Sequence, residues 1–138
     1  RTICHPKRII LDFQSLNESS TSIIAPISSM SQKLRNYLNP ENKFIFDFGL
    51  HINGKKKIAI YKNYCSLPKP LVLFYSLSIA ISAKAKRIYL AGFDGYKNDD
   101  PFADETNYYL KKFLKNYTKI SIKTLTKSKY KIPSLIFK

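Results

Sequence analysis

The stretch between residues 71 and 123 changes its hydrophobic period in an order that few folds accommodate. Residues 71–85 are apolar almost all round, with Ser76, Ser78, Ala80, Ser82, Ala83 and Ala85 interspersed. Such a segment is a helix buried against a sheet and packed closely, and Pro70 suits its first turn. Residues 87–91 then read as a strand, and Gly92 opens a turn. Phe102, Tyr109, Leu110, Phe113 and Leu114 fall at helical spacing and predict a second helix over 101–117. Residues 119–123 alternate and predict a strand. Helix, strand, turn, helix, strand is the alternation of an open α/β sheet.

The first half reads less regularly. Residues 8–13 form a short apolar run that predicts a strand, followed by a polar loop over 15–21. Residues 22–26 predict a second strand or extended entry. Ser28 or Ser29 is placed to cap a helix through Leu38, with Met30, Leu34, Tyr37 and Leu38 at helical spacing and Asn39-Pro40 as its stop. Phe44, Ile45, Phe46 and Phe48 run together as a buried strand over 43–50. Asn53-Gly54 is a hairpin turn signal, with 57–61 as the returning strand. A short final strand is expected within 129–137.

A length of 138 residues suits one domain and buries a sizeable core without disulfides or metal. The first residue is Arg1, which suggests a domain excised from a longer chain, with a covalently linked neighbour as a partner. Cys4 and Cys65 form no CxxC pair and no metal-ligand spacing; both read as thiols in a reducing compartment. No segment resembles a signal peptide, and the longest apolar run is too short for a bilayer span. A cytoplasmic protein is expected, with peripheral contact to an anionic inner-membrane surface left open.

The net charge is +15, from 24 Lys and Arg against 9 Asp and Glu. It favours anionic partners, although a Lys-, Asn- and Ile-rich composition accounts for it equally well. The distribution says more. Residues 111–138 hold nine Lys and no acid, while Asp94, Asp99, Asp100, Asp104 and Glu105 gather just before them. Asp99, Asp100, Asp104 and Glu105 can hold a divalent ion, but their place around Pro101 fits a helix start better. No metal and no cofactor is expected.

Ligands of open α/β sheets bind outside the carboxyl ends of the strands, where the turn 92–96 falls. Gly92 and Gly95 allow backbone geometry closed to other residues and let a ligand approach the main chain. Asp94 between them can accept hydrogen bonds from a sugar hydroxyl, or fold back on its own backbone. Neither a GxGxxG fingerprint nor a P-loop is present. Lys127, Lys129 and Lys131 with Tyr130 suit phosphate contact and base stacking; alternating Lys on a terminal strand equally blunts a sheet edge. Thr124, Thr126 and Ser128 add hydroxyls. His51 reads either as a loop residue or as an acid or base in a strand-end cleft. Nucleic acid is not expected as a partner: most aromatics, Phe44, Phe46, Phe48 and Phe74 among them, read as core.

The stretch Leu77 to Tyr96, ending Leu90-Ala91-Gly92-Phe93-Asp94-Gly95-Tyr96, resembles bacterial Rossmann-like domains of surface-glycan biosynthesis. One such group is the small C-terminal domain of aldolase-like proteins in O-antigen and capsule clusters. Residues 100–105 and 125–132 resemble that group's acidic and closing Thr/Tyr segments. More distantly, the turn is similar to the Gly-x-Asp-x-Tyr segment of bacterial sialyltransferases that use CMP-sialic acid, and to the methanopterin-pathway pyrophosphokinase-like family. The likeness covers residues 70–133.

It implies a small Rossmann-like three-layer domain with a mostly parallel sheet and helices on both faces. It also implies a nucleotide or nucleotide-sugar near Gly92, Asp94, Gly95, Tyr96, Lys127 and Tyr130. Those sialyltransferases carry a His after the motif; this chain has none beyond His51, so no residue matches that role. Three readings follow: an accessory ligand-binding domain, a glycosyl- or pyrophosphoryl-transferase, or a charge-driven binder of nucleic acid or membrane surface.

Overall fold

The computed structural model describes residues 10–12, 14–15, 18, 20–38, 44–55, 57–97 and 99–135. The chain is α/β and divides into two compact units, residues 1–83 and 84–138.

In the first unit, β1 (Ile23–Ala25) lies parallel to β2 (Ile45–Asp47), and β3 (Gly49–Ile52) lies parallel to β5 (Tyr64–Leu67). The short strand β4 (Ala59–Ile60) joins β5 antiparallel from its other side. Only Phe48 separates β2 from β3. There the chain changes partner: the Phe48 N–H donates to the Ala25 carbonyl at 3.1 Å, and the next N–H, of Gly49, donates to Asn63 at 2.8 Å. Gly49 is required at that switch, because a Cβ would lie 2.8 Å from the Tyr64 Cβ.

Ile23, Ala25, Met30 and Leu38 form a buried cluster, with Ile27, Leu34, Tyr37 and Ile45 packed against it. A 3-10 turn (Ile27–Ser29) precedes the one-turn helix α1 (Gln32–Arg35), capped by Ser31, whose hydroxyl accepts from the Leu34 N–H. Neither Ser28 nor Ser29 is the cap: the 3-10 turn moves the helix start three residues on. Helix α2 (Val72–Ser82) packs against β5 and β4. It buries Leu73, Phe74, Tyr75 and Leu77, each a contribution of roughly 1.5–3 kcal/mol. The Tyr75 hydroxyl donates to the Phe48 carbonyl, and Ser82 Oγ donates to the Lys62 carbonyl at 2.6 Å, tying the helix to the strand switch and to the β4–β5 turn.

Several expectations for this half are corrected. Ile10, Leu11 and Asp12 are helical, as are Ser15 and Glu18, so the predicted strand does not form among the described residues, and of the predicted loop only Ser20 and Thr21 are non-helical there. Asn53-Gly54 turns the chain, with Gly54 at φ +61°, but 57–61 does not return onto the strand before it; β4 pairs with β5 instead. Of the phenylalanine run only Phe48 is buried. Phe44 and Phe46 are 74% and 54% exposed, because β2 presents them on the face away from the cluster. Cys65 is a fully buried thiol; Cys4 and Asn39-Pro40 lie outside the described residues.

In the second unit, β6 (Arg87–Leu90) pairs parallel with β7 (Ser121–Thr124) in full register. Helix α3 (Pro101–Asn116) connects them and buries Thr106, Tyr109, Leu110 and Phe113. Asp100 caps it: its carboxylate accepts from the Phe102 N–H at 2.9 Å, with Pro101 following and Asp104 in the first turn. The helix-start reading of these acids therefore holds. No group of three or more His, Cys, Asp or Glu that could hold a metal ion occurs among the described residues. Residues 127–131 form no strand; beyond β7 a parallel bridge joins Thr124 and Ser134. Among the described residues no helix is long and apolar enough to cross a membrane.

Candidate functional site

Parallel pairing makes β6 and β7 end on the same edge, so the segments leaving them, 91–97 and 125–131, start side by side. The Leu125 N–H donates to the Leu90 carbonyl at 2.8 Å and extends the ladder by one bond. Beyond it the two segments clasp. The Gly92 N–H donates to Thr126 Oγ1 at 3.0 Å. The Ser128 hydroxyl donates to the Phe93 carbonyl and accepts the Tyr130 N–H at 3.1 Å. The Lys129 N–H donates to the Asp94 carbonyl at 2.8 Å.

Two glycines permit this clasp for different reasons. Gly92 has φ +72° with open space around a hypothetical Cβ, so only its backbone conformation demands glycine. Gly95 has φ +86°, and a Cβ there would lie 3.1 Å from Lys129 Cβ and 3.3 Å from Tyr130 N. The close approach that glycine allows at position 95 is that of the chain's own residues 129–130.

Tyr96 packs between two rings, Phe102 at 5.8 Å and Tyr130 edge-on at 6.4 Å and 84°. Burial raises the Tyr130 phenol above its ordinary value of 10.0, and the neighbouring Tyr96 adds to the rise. Tyr130 is thus a neutral hydroxyl at physiological pH. The Asp94 side chain is exposed and makes no hydrogen bond among the described residues; its backbone alone serves the clasp. Lys127 is exposed between Thr126 and Ser128, both of which bond to the turn.

All six residues singled out from sequence, Gly92, Asp94, Gly95, Tyr96, Lys127 and Tyr130, therefore belong to one clasp. The hydroxyls of Thr126 and Ser128, which the sequence offers as further polar groups beside the lysines, hold the backbone of the clasp. Asn107 was missed: its Oδ1 accepts the Lys131 N–H at 3.2 Å and anchors the end of the clasp to α3. An open cleft of about 450 Å³ adjoins this anchor, lined by Asp104, Asn107, Tyr108, Lys111, Leu114 and Lys131. It brings an acid and two lysines together, the mixture that the uneven charge along the sequence foreshadows. No signal in the sequence marks Asn107, since a polar residue on a helix is ordinary.

Comparison with protein-family models, curated proteins and solved structures finds no match to this chain.

Proposed function

We propose that this chain recognises a nucleotide or nucleotide-sugar at the 92–96 turn, as an accessory domain of bacterial surface-polysaccharide biosynthesis in the cytoplasm. The observation that carries the reading is the clasp at the carboxyl ends of two parallel strands, where α/β folds place their ligands. It presents the Asp94 carboxylate, which has no hydrogen-bond partner among the described residues, in the same turn as Tyr96, whose ring meets Tyr130. In this reading Asp94 accepts hydrogen bonds from ribose or sugar hydroxyls, Tyr130 and Tyr96 pack against the base, and Lys127 meets the phosphate. The small Rossmann-like three-layer architecture, with helices on both faces of the sheet, belongs to the same proposal. Asp94 acts here as a binding group, and the reading assigns no catalytic residue.

The test is a titration of ¹⁵N-labelled protein with CMP, UDP and their sugars, followed by amide chemical shift. Perturbations confined to 92–96 and 126–130, and weakened in Asp94→Asn, are expected. Saturating nucleotide without movement of these amides would overturn the proposal.

A further inference from the structure

The first unit holds a second polar cleft, an open space of about 620 Å³. Asp47, Gly49 and His51, alternate residues along the chain, all line it. Gly49 leaves no side chain in the row between the carboxylate and the imidazole, and Tyr64 stands directly across from it in the β3–β5 register. The Tyr64 ring is fixed by stacking on Tyr61, with centroids 4.3 Å apart and planes at 12°.

Both polar ends of the row are held by neighbours. Asp47 Oδ1 accepts from the Ser28 N–H at 3.2 Å and from the Ser28 hydroxyl at 3.3 Å. Oδ2 has no partner among the described residues. His51 Nδ1 lies 3.1 Å from Ser66 Oγ. That hydroxyl already accepts from Asn53 Nδ2 at 2.8 Å, and Asn53 is locked by the Lys57 carbonyl at 2.9 Å and the Lys55 N–H at 2.8 Å. Ser66 is buried, so the contact holds the imidazole through Nδ1, and Nε2 has no partner among the described residues. An exposed imidazole held in ring position by such a network is preorganised for binding.

The charge of the cleft decides the class of ligand. In a chain of net charge +15, the described lining residues include no Lys or Arg, and Asp47 is the one carboxylate among them. An anion would face that carboxylate with no cation among these residues to offset it. The Asp47 Oδ2 acceptor, the His51 Nε2, which can meet a hydroxyl as donor or as acceptor, the amide of Asn63 and the stacked Tyr64 ring together suit adjacent hydroxyls on a partly apolar frame. We infer that this cleft binds a neutral polyhydroxylated ligand, a sugar unit, through Asp47 and His51. The inference does not rest on the nucleotide reading, which concerns the other unit.

Titration of labelled protein with D-glucose, D-galactose and N-acetylglucosamine to about 20 mM, enough to detect millimolar affinity, tests it, with inorganic phosphate as the anionic control. At least one sugar is expected to shift the amides of Ser28, His51 and Asn63 without moving 92–96. Asp47→Asn, which keeps an oxygen for Ser28, and His51→Gln are each expected to weaken that binding about tenfold, the loss of one charge-assisted or well-placed hydrogen bond. The inference fails if none of the sugars moves these amides, if the shifts survive both substitutions, or if phosphate binds here more tightly than every sugar.

Discussion

Gly95 and Gly92 offer a controlled comparison of what holds the clasp. Gly92→Ala adds a methyl into open space at φ +72°, so its cost is backbone strain alone, about 1–2 kcal/mol. Gly95→Ala carries the same kind of strain at φ +86° and also drives its Cβ to 3.1 Å from Lys129 Cβ and 3.3 Å from Tyr130 N. One of those atoms is backbone held by Ser128, so it cannot swing away. Forcing the two segments apart adds roughly 1–3 kcal/mol, in the range of overpacking a well-fitted site. Gly95→Ala is therefore expected to destabilise by about 2–5 kcal/mol. With a urea m-value of about 1.5 kcal/mol/M, the midpoint falls by about 1.3–3.3 M, against about 1 M for Gly92→Ala. Hydrogen exchange supplies the local readout: the Lys129 amide should lose protection in Gly95→Ala more than in Gly92→Ala. Equal midpoints for the two variants would refute the claim that close approach of 129–130, beyond backbone conformation, requires glycine at 95.

Other consequences are as direct. Ser128→Ala removes both the donor to Phe93 and the acceptor of Tyr130 N–H and should cost about 1–3 kcal/mol in chemical denaturation, whereas Thr126→Ser, which keeps its oxygen, should cost far less. Asp100→Ala should lower stability by about 1 kcal/mol through loss of the α3 cap, and Asp100→Ser should recover most of it. Tyr130 has a raised folded-state pKa, so the folded state holds its proton where the unfolded chain releases it. Its contribution is complete below the ordinary value and declines as pH rises through the folded one. Urea midpoints taken from pH 9 to pH 11 should thus fall more steeply in the parent than in Tyr130→Phe; parallel curves would remove Tyr130 from the pH response.

The second half of the molecule was legible from sequence because its signals are local and agree with one another. The period of 71–85, the cap Asp100-Pro101 and the glycines at 92 and 95 each specify one conformation, and α2, β6, α3 and β7 follow within a few residues. The first half was less legible because its pairings are decided across the sheet. The run Phe44-Ile45-Phe46 reads as core by hydropathy, yet β2 buries little of it. Asn53-Gly54 makes its turn, but β5 outcompetes β3 for β4, and β5 itself, Tyr-Cys-Ser-Leu, has too mixed a pattern to announce a strand. The clasp was half legible: its residues could be named, but that Thr126 and Ser128 serve the backbone depends on two loops meeting. In the other cleft, Asp-x-Gly-x-His over 47–51 was present as alternation and went unread, because the strand was expected to end before His51.

The change of partner at Phe48 also sets an order of assembly. Among the paired strands of the described residues, only β4 and β5 are consecutive along the chain, with Ile60 opposite Cys65; Ile23 must wait for Ile45, and Arg87 for Ser121. Loop-closure entropy makes the β4–β5 hairpin the cheapest pairing to form first. Its far edge is then the template onto which 49–52 registers, and only afterwards can the preceding residues recruit β1. Conservative substitutions at Ile60 and Cys65 are expected to slow folding, with φ-values above those at Ile23; the reverse ranking would break this order. Tyr64, which lines the polar cleft, and Ser66, which holds His51, are on this account in place before Asp47 and His51 arrive to meet them.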